Sequence, residues 1–220
     1  MKILLIEDEK RMSQVLYQLL DLARLENTKP QFEEIDFSTL CLSSILPFEA
    51  QAFEKNINLS YDIPDYIKCI GEKQSLEKLV CILVDNALSN TEEGGYVTIN
   101  LSNKKDKLLL TVSNTSKPIS EDLSDKIFER FYRADASHAE SDGHYGLGLS
   151  IAKSIVTMHN GLINFNSVGA GAPTELNAPL LMRTDSDRNL SAEADPNPAR
   201  KTRERVLTYK DGMVIFNVKL

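Results

Sequence analysis

A glycine-rich segment that runs directly into an apolar-periodic stretch is the most constraining feature of this chain. Residues 143–149 read Gly-His-Tyr-Gly-Leu-Gly-Leu, and Leu147 and Ile151 open an apolar repeat at helical spacing. This pattern predicts a glycine loop at the start of a helix. Unpaired N–H groups and the positive dipole end at a helix start attract phosphate. Gly146 and Gly148 would let the backbone approach an anion closely. An ordinary flexible loop is the alternative.

A second apolar-periodic stretch, residues 76–88, predicts a core-facing helix that ends before Gly94-Gly95. Asn86 borders its buried face, where a side-chain amide needs hydrogen-bonding partners. Asn86 is therefore either a structural asparagine or a Mg²⁺ ligand, because an amide oxygen suits Mg²⁺ beside substrate phosphates.

Between these two stretches the pattern predicts a short amphipathic helix that Ser120 caps, that has Leu123, Ile127 and Phe131 on one side and that contains residues 127–135. Residues 136–142 are small and polar, which favours a mobile segment. A helix, a polar stretch and a glycine loop in succession are typical of a lid over a bound ligand. The alternative is a small surface helix with solvated arginines.

In order and spacing, the three segments resemble the ATP-binding catalytic domain of bacterial sensor histidine kinases, in the GHKL ATPase superfamily. Residues 83–91 resemble that family's asparagine box, residues 127–135 its phenylalanine box and residues 143–153 its second glycine box. The resemblance covers roughly residues 17–168. It implies an α+β fold, a two-layer sandwich of a mixed sheet backed by helices, with ATP between the helices and the lid.

The resemblance also implies ATP and Mg²⁺ as ligands and a place in a two-component phosphorelay. Asn86 would bind Mg²⁺, the backbone of Gly146 and Gly148 would hold phosphate, and Phe128 and Phe131 would anchor the lid. The residues expected at the nucleotide are Asn86, Asn90, Asn114, Ile119, Phe131, Arg133, Tyr145, Gly146, Leu147, Gly148 and Leu149.

The chain departs from the family pattern at several positions. Asn114 stands where the first glycine box has an adenine-binding aspartate, and both glycines of that box are missing. An asparagine carbonyl still accepts a hydrogen bond, but without charge assistance. Ser89 replaces a lysine of the asparagine box, which should cost binding or rate. His144 and Arg133 lie near enough in sequence to compensate.

The family transfers phosphate to a histidine on a dimerisation helix that precedes this domain. The chain has three histidines, His138, His144 and His159, and all lie in or after the lid. We therefore expect a homodimer or a histidine-bearing kinase as partner, with the acceptor histidine on a chain other than this one. A response regulator is a further partner implied by the resemblance.

The two ends of the chain carry other patterns. Residues 1–16 resemble the opening of a response-regulator receiver domain, with a first strand that ends at Glu7 and Asp8. Residues 17–30 resemble the end of a dimerisation helix, and 12–26 form one helical pattern. The catalytic domain is expected over residues 31–182, a polar linker over 183–205 and a hairpin tail over 206–220.

Strand patterns complete the α+β prediction. Residues 57–63 alternate, segments 97–101 and 108–112 flank a polar hairpin loop, and 161–166 predict another strand. Over residues 169–180, Pro173 and Pro179 weaken the prediction of a closing strand.

Composition excludes several classes. The net charge of −7 and the pI near 5.1 argue against a nucleic-acid-binding surface. Cys41, Cys69 and Cys81 are scattered, so no zinc site or disulfide framework is expected. No membrane helix is predicted, and a cytoplasmic location is expected.

The leading interpretation is the catalytic domain of a histidine kinase that binds Mg-ATP. The alternative is a catalytically silent remnant that acts as a nucleotide-binding or dimerisation module through residues 12–26. A third interpretation, an ATPase that hydrolyses ATP, would need a carboxylate base one turn before Asn86, where the sequence has Ile82.

Overall fold

The structure is a computed structural model. It describes residues 2–27, 29–104, 107–116, 123, 126–133, 145–167, 173–180, 207–208 and 214–215. The chain divides into two compact units, Met1–Thr184 and Asp185–Leu220.

The strands of the first unit are β1 Glu33–Asp36, β2 Asn58–Asp62, β3 Lys68–Gly71, β4 Tyr96–Lys104, β5 Lys107–Thr115, β6 Asn164–Ser167 and β7 Pro173–Leu180. Five of them form a mixed sheet in the order β2-β4-β5-β7-β6. Strand β2 pairs parallel to β4, and the other pairs in this sheet are antiparallel. A separate two-stranded sheet joins β1 to β3.

Helices pack on this sheet and confirm the predicted α+β architecture. They are α1 Lys2–Asn27, α2 Phe37–Glu54, α3 Lys73–Ser89 and α4 Gly148–Met158. Helix α3 is central, because it contacts α2, α4, β4 and β5. The apolar face of α3 is fully buried, including Leu76, Leu79 and Leu83. The core therefore lies between α3 and the sheet, as the periodicity of residues 76–88 predicts.

Two carboxylates begin the helices that follow β1 and β3. The side chain of Asp36 accepts a hydrogen bond from the backbone N–H of Thr39 at 3.1 Å, which caps α2. Glu72 accepts one from the N–H of Ser75 at 2.8 Å and caps α3. Such caps satisfy N–H groups that have no partner within the helix.

The receiver-like prediction for residues 1–16 is wrong in structure, because α1 runs without interruption from Lys2 to Asn27. A lone strand would leave its backbone groups unpaired, whereas a helix pairs them within the segment. The predicted continuous helix over 12–26 is confirmed. Among the described residues, no helix combines the length and apolarity that a membrane span requires.

The expectation that Pro173 and Pro179 oppose a closing strand is also wrong, because Pro173–Leu180 forms β7 between β5 and β6. The reason lies in the register: β6 pairs only with residues 174–177 of β7. Both prolines lie outside that part, where β7 has only β5 as a neighbour and a residue without an N–H group is tolerated.

The amphipathic helix predicted over 127–135 is reduced, within the described residues 126–133, to a 3₁₀ helix at Lys126–Phe128 and a turn. Phe131 adopts φ +64°, a left-handed conformation that a continuing helix does not allow.

In the second unit, β8 Leu207–Thr208 pairs antiparallel with β9 Val214–Ile215, as the hairpin prediction requires. The linker 183–205 and the Asp211-Gly212 turn lie outside the described residues.

Candidate nucleotide-binding site

The last turn of α3 presents Asn86 and Asn90 together. The side-chain amide of Asn90 donates to the backbone carbonyl of Asn86 at 2.7 Å and to the Asn86 side-chain oxygen at 3.3 Å. Asn86 is half-buried. An amide oxygen has two acceptor sites, so the bond from Asn90 leaves capacity for a cation. The geometry is compatible with Asn86 as a ligand and gives Asn90 a supporting position.

Asn114 is tied to the same turn through Thr91. Thr91 donates its hydroxyl to the carbonyl of Ala87 at 2.7 Å, so the hydroxyl oxygen must accept from the Asn114 amide, 3.3 Å away. This network orients the amide group of Asn114, which is only 5% exposed. Its carbonyl oxygen is the group that could accept from an adenine amino group.

Sequence reasoning did not single out Thr91. A threonine hydroxyl commonly bonds the carbonyl four residues earlier, and Ala87 and Thr91 have that spacing. The spacing alone does not reveal that β5 brings Asn114 to the same hydroxyl.

Gly146 is required by a close contact within the loop. It has φ +70°, and a Cβ atom there would lie 2.6 Å from the carbonyl oxygen of Tyr132. The backbone N–H of Phe131 donates to the Gly146 carbonyl at 3.0 Å. The glycine was expected to allow approach of an anion, and the structure adds a second reason for it.

Gly148 differs from Gly146. A Cβ atom at Gly148 would meet only Ile82, at an ordinary 3.5 Å. Packing therefore does not require a glycine at the first residue of α4. The same contact places the start of α4 beside α3, one helical turn before Asn86.

The start of α4 has no side-chain cap. Leu147 occupies the cap position, is fully buried and makes no capping hydrogen bond. The hydroxyl of Ser150 donates back to the Leu147 carbonyl at 2.8 Å. The first N–H groups of α4 and its positive dipole end thus suit a phosphate, as the glycine-loop pattern predicts. Leu149 follows in the first turn and is half-buried.

Tyr145 carries a buried hydroxyl with no hydrogen-bond partner among the described residues. Leaving such a group unpaired costs about 1–3 kcal/mol. Together with the uncapped start of α4, this hydroxyl fits a site completed by a polar ligand.

The two lid phenylalanines differ. Phe128 is 7% exposed, and the ammonium of Lys153 lies 5.6 Å from its ring centroid. Phe131 is 59% exposed. Phe128 is thus buried, as an anchor would be, whereas Phe131 is exposed, and the anchoring of a lid by these two side chains stays a prediction. Arg133 is half-buried and engaged by neighbouring groups.

Ile119, His144 and the segment 136–142 lie outside the described residues. Among the residues that are described, no three His, Cys, Asp or Glu side chains form a metal cluster. Burial raises the pKa of Cys41 and that of Cys69, the latter to about 12, so neither is a ready thiolate ligand.

Comparison with known proteins finds relatives of similar sequence. Sensor protein DltS of Streptococcus agalactiae is 36% identical over 160 residues, which are 72% of this chain and 40% of DltS. The sensor-like histidine kinase SenX3 of Mycobacterium tuberculosis is 25% identical over 201 residues, covering 90% of this chain and 49% of SenX3. The chain thus spans less than half the length of these curated relatives.

A solved structure leads to the same family. The catalytic domain of the histidine kinase ThkA superposes with a TM-score of 0.59 at 25% identity and covers 68% of this chain and 96% of that domain. The profile described as histidine kinase-, DNA gyrase B- and HSP90-like ATPase matches residues 71–182, about half of the chain. The chain therefore belongs to the family of histidine kinase-, DNA gyrase B- and HSP90-like ATPases, with the fold of histidine kinase catalytic domains.

Proposed function

We propose that this chain is the catalytic part of a sensor histidine kinase and transfers the γ-phosphoryl group of Mg-ATP to a histidine on another polypeptide. The observation that carries the proposal is the contact between α3 and α4. It brings the uncapped start of α4 against Ile82, one helical turn before Asn86, and Gly148 has no side chain to keep a phosphate from the backbone there.

Each group has a distinct part in this proposal. Mg²⁺, when bound, neutralises charge on the phosphates, and Asn86 holds it through the side-chain oxygen. The N–H groups of α4 hold phosphate oxygens, and Asn114 accepts from the adenine amino group. Arg133 would add positive charge beside the nucleotide. Positioning and charge neutralisation are what phosphoryl transfer requires of a protein.

The acceptor is proposed to lie on another chain, partly because of His159. Its side chain is 3% exposed, and both ring nitrogens are engaged in hydrogen bonds. A nucleophile for phosphate needs an accessible nitrogen. A second copy of this chain would carry the same three histidines, so the acceptor is assigned to a histidine-bearing kinase partner. The proposal also includes a homodimer, a response regulator downstream and a cytoplasmic location.

Nucleotide binding is tested by isothermal titration with a non-hydrolysable ATP analogue, with and without Mg²⁺. Binding is expected to be Mg²⁺-dependent and to be lost in Asn86→Ala. Asn103→Ala is a matched control, because Asn103 is an exposed asparagine near the end of β4. Equal binding by the Asn86 and Asn103 variants would contradict the assignment of Asn86.

Transfer is tested separately with γ-labelled ATP and a DltS variant whose own nucleotide site is inactivated. Acid-labile label is expected on the DltS chain. Nucleotide binding without any such label would restrict the function to nucleotide binding and favour the silent-remnant alternative.

A further inference from the structure

His159 joins the two helices that carry the proposed site, at the end remote from the nucleotide. Helix α4 begins at Gly148 in the phosphate-facing loop and ends at Met158, directly before His159. Helix α3 begins after Glu72 and reaches Asn86 in its last turn. The backbone N–H of Glu72 donates to Nε2 of His159 at 3.0 Å. The start of α3 thus meets the end of α4.

The hydrogen bonds determine the protonation state of the ring. Nε2 accepts from an N–H group, so it carries no proton. Nδ1 lies 2.8 Å from the carbonyl oxygen of Ile155 and must therefore be the protonated nitrogen that donates to it. The neutral Nδ1–H tautomer is the form that satisfies both contacts.

Three described residues lie against the ring: Phe32, Gly71 and Glu72. Phe32 stacks on it with a centroid separation of 5.0 Å and an interplanar angle of 17°. On β3, a Cβ atom at Gly71 would lie 3.1 Å from Nε2. Among these neighbours Glu72 is the charged one, and its carboxylate bonds to the N–H and hydroxyl of Ser75. Protonation would turn Nε2 into a donor that faces another donor.

We propose that His159 is a positioning residue: as a neutral imidazole it holds the end of α4 against the start of α3. This keeps the start of α4 in register with the Asn86 turn. Helix α4 has 11 residues, about 16 Å at the usual rise per residue, so a rigid rod of this length transmits a displacement at its end to the glycine loop. This proposal rests on the proposed nucleotide site, because nucleotide affinity is its functional readout.

The contact is expected to be sensitive to acid. Burial lowers the pKa of His159 below its ordinary 6.5. In a state with the contact open, the ring titrates near that ordinary value, so lowering the pH below 6.5 favours the open state. Affinity should therefore be complete above pH 6.5 and decline below it.

The test compares wild type with His159→Gln, which retains an acceptor for the Glu72 N–H and does not titrate. Affinity for a non-hydrolysable Mg-ATP analogue is measured at about pH 8 and pH 5.5, with denaturant unfolding to confirm that each sample is folded. On acidification, the affinity of wild type should fall about fivefold to tenfold more than that of the variant. A change of this size corresponds to the net contribution of one hydrogen bond. The other two histidines and the nucleotide are the same in both samples, so their contributions to the pH dependence of the affinity cancel. Parallel losses would overturn the proposal.

A readout without nucleotide separates failure of this proposal from failure of the proposed function. Nitrogen NMR of His159 should show the Nδ1–H tautomer at neutral pH. The amide signals of Gly146 and Gly148 should shift with the titration of His159 in wild type and not in His159→Gln. Wild type that binds no nucleotide but shows these shifts would contradict the function and retain the positioning role. An Nε2–H tautomer, or amide signals that do not follow His159, would overturn the positioning role.

Discussion

The backbone N–H of Phe131 donates to the carbonyl of Gly146 at 3.0 Å, and both residues have positive φ angles, +64° and +70°. This bond joins the turn after the 3₁₀ helix to the glycine loop at the start of α4. This backbone hydrogen bond thus connects the two residues that flank the segment predicted to form a lid. A positive φ strains Phe131 but not Gly146, because glycine adopts it readily, so the strained residue of this pair lies where the candidate site begins.

Gly146→Ala is expected to lower the free energy of unfolding by about 1–3 kcal/mol. An alanine there must adopt a positive φ, and its Cβ would lie 2.6 Å from the Tyr132 carbonyl oxygen. Gly148→Ala is the matched control, because its Cβ meets only Ile82 at 3.5 Å. The control should unfold like wild type yet bind the ATP analogue more weakly. Urea unfolding and titration calorimetry on both variants check this, and equal destabilisation of the two would contradict it.

Thr91→Val is expected to cost about 1–3 kcal/mol of stability and to weaken nucleotide binding. The change removes the oxygen that accepts from Asn114, which leaves a buried amide without that partner and free to rotate. Thr157→Val is a suitable comparison, since Thr157 also bonds the carbonyl four residues earlier but is exposed. If the two variants lose stability equally, the link between β5 and α3 is unimportant.

Tyr145→Phe should weaken nucleotide binding without lowering the stability of the protein. Removing a buried hydroxyl that has no partner within the described part of the chain should leave stability unchanged or raise it by about 1 kcal/mol. If the nucleotide is what satisfies this hydroxyl, affinity should fall by about fivefold to tenfold. Tyr66→Phe, at a side chain that is 84% exposed, should change neither. Thermal unfolding with and without the ATP analogue measures both effects, and undiminished affinity in Tyr145→Phe would remove the hydroxyl from the site.

Asp36→Ala is expected to cost about 1 kcal/mol near neutral pH through loss of the α2 cap. The backbone and side-chain hydrogen bonds from Thr39 lower the pKa of Asp36 below its ordinary 3.8. A lowered carboxyl pKa stabilises the folded state above that ordinary value, and the contribution is lost as the pH falls through the folded-state pKa. The stability gap between wild type and variant, measured by urea unfolding, should therefore narrow below about pH 4. A gap that does not change with pH would contradict this role of the carboxylate.

The parts of the fold that the sequence predicts correctly are those with local signals. The apolar repeat of residues 76–88 identifies α3, because helical spacing and burial have the same period. The alternation on either side of residues 103–107 identifies the β4–β5 hairpin. The order of the three motifs was enough to expect a nucleotide site at Asn86 and Gly146–Leu149.

Other features were decided by contacts between residues distant in sequence. Two prolines argue against β7, and only the register with β6 explains how the strand forms. The apolar run at residues 3–6 suits a strand locally, but the structure pairs its backbone groups within a helix.

The sequence alone thus determined α3, α4, the second half of α1, the β4–β5 hairpin and the order of the site motifs, because these depend on neighbours within a few residues. Only the tertiary structure decided which groups meet. It brought Asn114 to Thr91 across 23 positions and the ring of His159 to the Glu72 N–H across 87. Hydrogen-bond partners and the protonation state of a buried ring depend on the packing of separate elements, which periodicity does not encode.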